Sequence, residues 1–238
     1  TCGWMMWNWL VSALASKASI VLFDGSPMYK KDDLLFKIAD KEKITLLGIS
    51  AKYIDALRKL KPSLKYKYQL NKLKTICSTG SPLSNDGFKY IYQNVKKNVH
   101  LSSISGGTDI VSCFVLGNLY QPVYMGEIQN NGLALDVDIF NDKGNSIKNK
   151  KGELVCKNAF PTIPLKFWND KKNTKFNEAY FNKFNKTWHH GDYAEIKNSG
   201  GFIIYGRSDT TLNPGGVRLG TSEIYSEVEK FKEIKESL

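Results

Sequence analysis

The sequence predicts an α/β protein: a parallel sheet layer built from βαβ units, followed by an antiparallel, hairpin-rich and barrel-like subdomain. Two observations predict this order. Up to residue 121, short apolar runs alternate with segments in which apolar residues recur at helical spacing. From residue 122, turn sequences separate short segments of alternating apolar and polar residues. Strands that alternate with helices imply right-handed crossovers, and therefore a parallel sheet covered on both faces.

The first part, residues 1–121, is expected to contain four helices and four strands. Ser50 and Ser84 each precede a helical pattern, where a serine hydroxyl can accept a hydrogen bond from an amide of the first turn. Pro62 ends the helix that follows Ser50. The strands are expected over residues 19–23, 44–49, 73–78 and 99–103, and the helices over residues 4–17, around 34–38, around 53–60 and after residue 84.

The second part, residues 122–208, is expected to be antiparallel. Its strands are expected over residues 126–129, 133–140, 153–157, 188–196 and 201–205. The aromatic and lysine-rich stretch 167–188 could form a stacking platform for single-stranded nucleic acid, but aromatic residues in a long loop more often pin that loop to the protein surface. A last helix is expected to begin at Thr221 or Ser222.

The net charge of the 238 residues is +11, which invites a nucleic-acid interpretation. However, the lysines are spread along the chain, and their densest clusters (148–151 and 171–175) lie among Asn and Gly, as solvated loops do. No nucleic-acid-binding motif accompanies the charge, so nucleic acid is not an expected partner. A noncatalytic basic binding domain is kept as the second hypothesis.

The four cysteines (Cys2, Cys77, Cys113 and Cys156) are far apart, and no histidine lies at ligand spacing from them. Neither a zinc site nor a disulfide framework is therefore indicated, and a reducing, cytoplasmic location is expected. Serine, asparagine and lysine residues interrupt the apolar run 4–23, so membrane insertion is not expected.

The segment 206–220 concentrates four glycines, one carboxylate and two of the only three arginines in the chain, Arg207 and Arg218. In so lysine-rich a sequence, two arginines here favour a site that needs a planar, forked donor, such as a site for phosphate. The alternative is a glycine-rich linker with two surface arginines.

Two further segments follow predicted parallel strands, residues 78–82 and 103–109. In parallel sheets ligands bind at the carboxyl ends of the strands, so these loops are candidate site loops, although either could be an ordinary turn. The hairpin of residues 188–196 and 201–205 would place Asp192 and Arg207 on one rim. His189 and His190 are interpreted as structural or pocket-lining, because neighbouring strand positions face opposite ways and no third metal ligand is evident.

Taken in order, Gly80-Ser81-Pro82, residues 105–109, Gly191-Asp192 and residues 206–220 resemble the motifs of the adenylate-forming superfamily of acyl-CoA synthetases, peptide-synthetase adenylation domains and luciferases. Residues 3–9 and 105–109 look most like the acetoacetate-CoA ligases of the acetyl-CoA-synthetase-like branch. The resemblance runs along essentially the entire chain, which would be well under half of such an enzyme. It implies an ATP-dependent, AMP-forming ligase with acetoacetate, ATP and CoA as substrates.

The resemblance also implies roles for individual residues. Asp192 would accept both ribose hydroxyls of ATP. Thr108 would bond the α-phosphate, and Asp109 would hold Mg²⁺, although the family usually has Glu there. The expected catalytic residues are thus Thr108, Asp109 and Arg218. The other expected nucleotide-binding residues are Gly80, Ser81 and Pro82 against adenine, and Arg207, Asn213 and Arg218 at the ribose and phosphates.

The acyl pocket is expected to be lined by Met5, Met6, Trp7 and Gly106. Acetyl-using relatives have tryptophan where this chain has Gly106, so the missing indole would make room for acetoacetate or, as an alternative, for another short-chain or aryl acid. Restoring tryptophan at this position would then shift preference toward acetate.

Asp209 resembles the hinge about which a small C-terminal domain swings, so residues 209–238 would be the hinge and the first helix of a truncated domain. We find no phosphate loop ending in Pro-Lys and no lysine-bearing small domain in these residues. The rest of a parent polypeptide is the expected partner, and the chain alone is expected neither to turn over nor to hold ATP tightly.

Overall fold

A computed structural model of the chain describes residues 5–29, 33–60, 64–212, 219–228, 230–231 and 234. The chain divides into two compact units, residues 1–129 and residues 130–238. The first contains the parallel sheet and the second contains a larger antiparallel sheet.

The first unit is organised around three parallel strands in the order β1-β2-β3: β1 (Leu46–Ser50), β2 (Thr75–Thr79) and β3 (His100–Ser103). Leu47 lies opposite Ile76, which lies opposite Leu101, and all three side chains are buried. The parallel arrangement predicted from the alternation of strands and helices is therefore confirmed.

Helices pack on this sheet through apolar faces. They are α1 (Met5–Ser12), α2 (Leu34–Lys41), α3 (Ala51–Leu60) and α4 (Asn85–Tyr90), with shorter turns at Ala13–Ser16, Leu64–Tyr66 and Ile91–Val95. The backbone amide of Tyr53 donates to Ser50 Oγ and that of Gly87 to Ser84 Oγ, each at 3.1 Å, so both predicted serine caps are confirmed. Phe36, Ile54 and Ile91 are fully buried in the shared core.

Two predicted strands in this unit are wrong. Residues 19–23 have no strand conformation, and Leu22 is exposed. Residues 126–129 form only an isolated bridge position at Ile128. A turn explains the second case, because the Glu127 amide donates to the Tyr124 carbonyl at 3.1 Å and Gly126 has a left-handed φ of 83°. The Gln129 side chain bonds to the preceding loop: its amide donates to the carbonyl oxygens of Asn118 (2.9 Å) and Gln121 (2.7 Å), and its Oε1 accepts from the Asn118 amide (2.9 Å).

A short hairpin follows the parallel sheet. Its strands are β4 (Ser105–Gly107) and β5 (Ser112–Leu116), with a bulge at Ser105 and Gly106. One turn of 3₁₀ helix, Thr108–Ile110, joins them.

The second unit is built on four antiparallel strands in the order β10-β9-β8-β7, preceded by the two-residue β6. In the part of the chain that the structure describes, this sheet is open, so the barrel-like expectation is corrected. The elements of this unit are β6 (Asn130–Asn131), β7 (Val137–Phe140), β8 (Gly152–Cys156), α5 (Thr174–Tyr180), β9 (Trp188–Ile196), β10 (Phe202–Arg207), a 3₁₀ turn (Ser208–Thr210) and α6 (Thr221–Val228).

Strand β7 covers only the second half of the expected 133–140 segment. Ala134 has a left-handed φ of 65°, and the Leu135 amide donates to the Gly132 carbonyl at 3.2 Å. These residues therefore form a turn that delays the start of the strand. The turn at residues 141–144 and the pair β9 and β10 are as predicted.

An aromatic cluster ties the long loop before β9 to the sheet. Trp188 is 1% exposed and stacks on Tyr180 with ring centroids 3.7 Å apart, and Phe176 and Phe181 approach its ring edge-on. This packing supports the interpretation that the aromatic residues pin the loop.

Among the described residues, no helix is long and apolar enough to cross a bilayer.

Replacing Trp188 with alanine tests this cluster. The cavity should lower the free energy of unfolding by about 3–5 kcal/mol, measured by urea titration followed by circular dichroism. Trp168→Ala is the matched control, because Trp168 is 91% exposed and its loss should cost at most about 0.5 kcal/mol. Equal losses in the two variants would contradict the assigned core.

Candidate functional site

The carboxyl ends of β2 and β3 are tied together directly. The Thr79 hydroxyl donates to the Ile104 carbonyl at 3.2 Å, and the Ile104 amide donates to the Ser78 carbonyl at 2.9 Å. Because the two strands are parallel, the segments that follow them begin at the same edge of the sheet. The structure therefore brings the starts of both candidate loops of the first unit together.

The first loop turns sharply at Gly80, whose φ is +87°, a conformation that glycine adopts without steric cost. Gly80 and Pro82 are exposed and Ser81 is half-buried, whereas the next residue, Leu83, is buried. The loop thus presents backbone to solvent while its end is anchored in the core.

In the second loop, Thr108 and Asp109 are exposed on the 3₁₀ turn, directly before the fully buried Ile110. Val111 then adopts a left-handed φ of 46°, which is rare for a β-branched residue. A buried residue and a constrained one therefore hold the threonine hydroxyl and the carboxylate on the outer side of the turn.

Asp109 suits a Mg²⁺ ion that is held mainly by other ligands. No group of three or more His, Cys, Asp or Glu residues that could enclose a metal occurs among the described residues. Mg²⁺ sites on nucleotides commonly use one or two carboxylates together with phosphate oxygens and water, so an exposed single carboxylate fits that role.

Gly106 has a structural reason to be glycine that the sequence did not reveal. A Cβ at this position would lie 2.1 Å from the Ser112 carbonyl oxygen and 2.6 Å from Cys113 Cα, both of them backbone atoms of β5. Any side chain would therefore force β4 and β5 apart. Substitution of Gly106 with tryptophan would distort this hairpin, so it cannot test the width of an acyl pocket by itself.

Cys113 lies opposite Gly106 in the β4–β5 pair. Burial raises the pKa of its thiol to about 12, with a smaller contribution from Cys77, and burial raises the pKa of Cys77 to about 11. Cys77, Cys113 and Cys156 are all free thiols.

The three residues expected from α1 do not share one orientation. Met5 is buried, and Trp7 is exposed. Met6 packs on β1, since its Cε lies 2.9 Å from the position of a Cβ on Gly48. Neighbouring helical residues point about 100° apart, so the three side chains face three different directions.

In the second unit, Asp192 of β9 and Arg207 of β10 are direct cross-strand partners. Asp192 is 7% exposed, and its Oδ1 accepts a hydrogen bond from Arg207 Nη1 at 3.2 Å. The same Nη1 donates to the His190 carbonyl at 2.9 Å. The expectation that the two side chains lie on one rim is confirmed, and the guanidinium is held in a fixed orientation.

Gly191 makes this pair possible. Its φ is +81°, and a Cβ there would lie 2.6 Å from Arg207 Nη2.

The two histidines before Gly191 face different groups: His190 Nε2 lies 3.7 Å from Asp192 Oδ2, whereas His189 Nε2 lies 3.0 Å from Glu153 Oε2. The prediction that they point to opposite faces is confirmed.

Glu153 on β8 is a site-supporting residue that the sequence argument missed. It is 1% exposed and accepts hydrogen bonds from His189, from Lys183 Nζ at 2.5 Å and from Ser208 Oγ. Burial opposes its charged form, but these three donors outweigh it and lower the pKa to about 2. A glutamate inside an otherwise apolar strand was the available signal.

Asp209 follows in the 3₁₀ turn and is exposed, with Oδ1 3.7 Å from Arg207 Nε. Asn213 and Arg218, the remaining expected site residues, lie outside the described residues. The structure thus brings residues 80–82 near the start of 104–109 in one unit, and joins Asp192 with Arg207 in the other.

Comparison with known proteins gives one consistent result. Over its full length, the chain is 54% identical to acetoacetyl-coenzyme A synthetase of Rhizobium meliloti and covers 37% of that protein. It is 49% identical, again over its full length, to acetoacetyl-CoA synthetase of Gallus gallus and covers 36% of it. The chain therefore spans a little over a third of the length of these curated relatives. No model of a protein family matches it.

Solved structures agree. Acetoacetyl-CoA synthetase from Streptomyces lividans superposes with a TM-score of 0.91 at 39% identity, over 99% of this chain and 37% of that one. The anthranilate CoA ligase AuaEII, solved with anthranoyl-AMP, gives a TM-score of 0.73 over 88% of this chain and 38% of its own, and at 18% identity this likeness concerns the fold alone. These relatives confirm the resemblance inferred from the motifs.

The pKa of Glu153 generates a prediction for acid stability. Because its folded pKa of about 2 lies below the ordinary value of 4.5, its contribution is present above pH 4.5 and is lost as the pH falls toward 2. The contribution should be on the order of 3 kcal/mol.

Urea unfolding measured at intervals between pH 7 and pH 2.5 checks this expectation. Glu153→Gln should be less stable at neutral pH and should show a flatter loss of stability in acid than the wild type. Glu178→Gln, a change at an exposed position, should leave the acid slope unchanged. A wild-type slope in Glu153→Gln would refute the assignment.

Proposed function

We propose that this chain is part of an ATP-dependent, AMP-forming ligase that joins acetoacetate to the thiol of CoA through an acyl-adenylate. The observation that carries the proposal is the buried Asp192 paired with Arg207, in a chain that aligns from end to end with acetoacetyl-CoA synthetases. The activity belongs to the complete polypeptide, of which this chain would supply the central portion of the nucleotide site.

Asp192 would bind the ribose of ATP. A carboxylate offers paired acceptors for the two hydroxyls of a diol, and burial among fixed neighbours preorganises those oxygens. Arg207 is half-exposed and holds Asp192 through Nη1, so the rest of its planar fork can donate to the ribose and phosphates. Arg218 and Asn213 would add donors near the phosphates.

Residues 80–82 would form the adenine platform, because the exposed backbone of this loop allows close approach of a flat ring. In the first step, an oxygen of the acetoacetate carboxylate would bond to the α-phosphorus of ATP as pyrophosphate leaves. In the second, the CoA sulfur would bond to the acyl carbon as AMP leaves and the thiol proton is lost to solvent.

The first step builds negative charge around the α-phosphate, which positioned donors must stabilise. The Thr108 hydroxyl would donate to an α-phosphate oxygen, and Asp109 would hold Mg²⁺, which supplies positive charge to the phosphates when bound. The phosphate loop and the catalytic lysine would come from the rest of the polypeptide.

Acetoacetate is favoured as the acid because the curated relatives carry that name. Another short-chain or aryl acid is the alternative. A cytoplasmic location and a place in lipid metabolism fit the free thiols and the acyl substrate.

The proposal is tested on the purified complete polypeptide by measuring ATP–pyrophosphate exchange and then consumption of CoA. Acetoacetate should support both reactions better than acetate, butyrate or benzoate, each tested as an alternative substrate. If exchange shows no preference for acetoacetate, the natural acid substrate is a different one. Absence of exchange with every acid would refute the ligase, and salt-sensitive oligonucleotide binding would then support the basic binding domain. The isolated 238 residues should form no acyl-adenylate.

Two matched glycine variants of the complete polypeptide test the Asp192–Arg207 pair. Gly191→Ala adds left-handed strain and places a methyl group against Arg207, so it should abolish most of the rise in melting temperature that ATP produces. Gly200→Ala adds similar strain at φ +86°, but its Cβ meets nothing within 4 Å. Both should lose about 1–2 kcal/mol of stability.

Thermal melting with and without ATP separates the two effects. The Gly200→Ala protein should keep its protection by ATP. If both variants respond to ATP alike, Arg207 does not contribute to nucleotide binding in the way proposed.

A further inference from the structure

Two charged side chains lie at the start of β8: Lys151 directly before the strand, and Glu153 at its second position. Each contacts a residue on a different side of Asp209 along the chain. Glu153 accepts a hydrogen bond from Ser208, the residue directly before Asp209. Lys151 forms an ion pair with Glu223 of α6, the helix that follows the turn.

Helix α6 lies close against the end of β10. The Ser222 hydroxyl donates to the Tyr205 carbonyl at 2.7 Å. A Cβ on Gly206 would lie 2.5 Å from Thr221 Oγ1, and a Cβ on Gly220 would lie 2.3 Å from the Tyr205 carbonyl oxygen. Glycine at both positions therefore allows the start of α6 to dock on the strand.

Lys151 contacts the docked helix α6 from the side of the sheet. Its Nζ lies 4.4 Å from the centre of the Tyr205 ring in addition to pairing with Glu223. The Glu223 carboxylate also accepts a hydrogen bond from the Gly220 amide at 2.9 Å, which fixes it at the first turn of the helix. Lys151 thus contacts α6 through a carboxylate that the Gly220 amide holds in place.

The two contacts differ in how easily they break. Glu153 is almost fully buried and holds three donors, so removing one donor would leave a buried charge poorly satisfied. The side chains of Lys151 and Glu223 remain 31% and 28% exposed. Solvent can replace each partner, so this single ion pair is weak enough to open and close repeatedly.

We propose that Lys151 and Glu153 form a two-point clamp on the hinge: Glu153 fixes Ser208 on the static side, and Lys151 releasably holds Glu223 on the moving side. Lys151 is then a positioning residue that sets the balance between adenylate formation and thioester formation. The inference rests on the proposed function, because it needs a domain that swings about Asp209 between two poses.

The test uses the complete polypeptide with four changes: K151E, E223K, the double variant K151E/E223K, and K150E. Lys150 is exposed in the same loop, so K150E controls for net charge. Hydrogen exchange of the amides in residues 221–228 reports docking of α6. Acetoacetate-dependent pyrophosphate exchange and single-turnover transfer of the acyl group to CoA report the two half-reactions separately.

Each single charge reversal should speed amide exchange in residues 221–228 by about 2- to 5-fold, the range expected for one partly exposed ion pair. Each should also change the ratio of the two half-reaction rates by a similar factor. The double variant restores an ion pair in reversed orientation but not the hydrogen bond from the Gly220 amide, so it should return both readouts part of the way to wild type. K150E should change neither.

Unchanged amide exchange in both single variants overturns the clamp, as does a double variant that exchanges at least as fast as E223K alone. Faster exchange with an unaltered rate ratio overturns the role of Lys151 in positioning. A wild-type protein that forms no acyl-adenylate refutes the proposed function and the positioning role together, whereas an active protein whose variants leave the rate ratio unaltered refutes the positioning role alone.

Discussion

The second unit depends on how one buried carboxylate is satisfied. Removing Glu153 from water would be costly unless donors surrounded it, and the fold supplies them from three separate places: Lys183, His189 and Ser208. Meeting that requirement fixes β8 against β9 and fixes the end of β10. Asp192 lies on β9 and Arg207 at the end of β10, so the bonds that satisfy Glu153 also help to position this pair.

Much of the fold was predictable because its causes are local. The alternation of apolar runs with helical patterns predicted β1, β2 and β3, and the serines at positions 50 and 84 predicted where two helices begin. The strand predicted at residues 126–129 is absent because a turn closed by the Glu127 amide and the Tyr124 carbonyl occupies its first half. Periodicity of apolar residues does not distinguish such a turn from the start of a strand.

In the candidate site, too, local features were predictable and contacts formed only on folding were not. Hairpin alternation predicted that Asp192 and Arg207 lie on one rim, but their direct pairing depends on a bulge between Ile204 and Gly206 that shifts the register by one residue. Gly106 was expected to widen an acyl pocket, but glycine is required there because backbone atoms of β5 lie too close for any Cβ. That proximity arises only when the two strands pair on folding. Glu153 was missed because an acid in an apolar strand reveals that it needs partners without revealing which ones.

The raised pKa values of two thiols, Cys77 in the parallel sheet and the half-buried Cys113 in β5, have a consequence for the proposed ligase, which would handle an activated acyl group. A mixed anhydride can acylate any nearby sulfur that is ionised, and the protein carries Cys113 directly opposite Gly106. With its pKa raised to about 12 by burial, that sulfur stays protonated and poorly nucleophilic at neutral pH. In a ligase of the proposed kind, self-acylation would be suppressed, and the soluble thiol carrier would meet no competitor from within the fold.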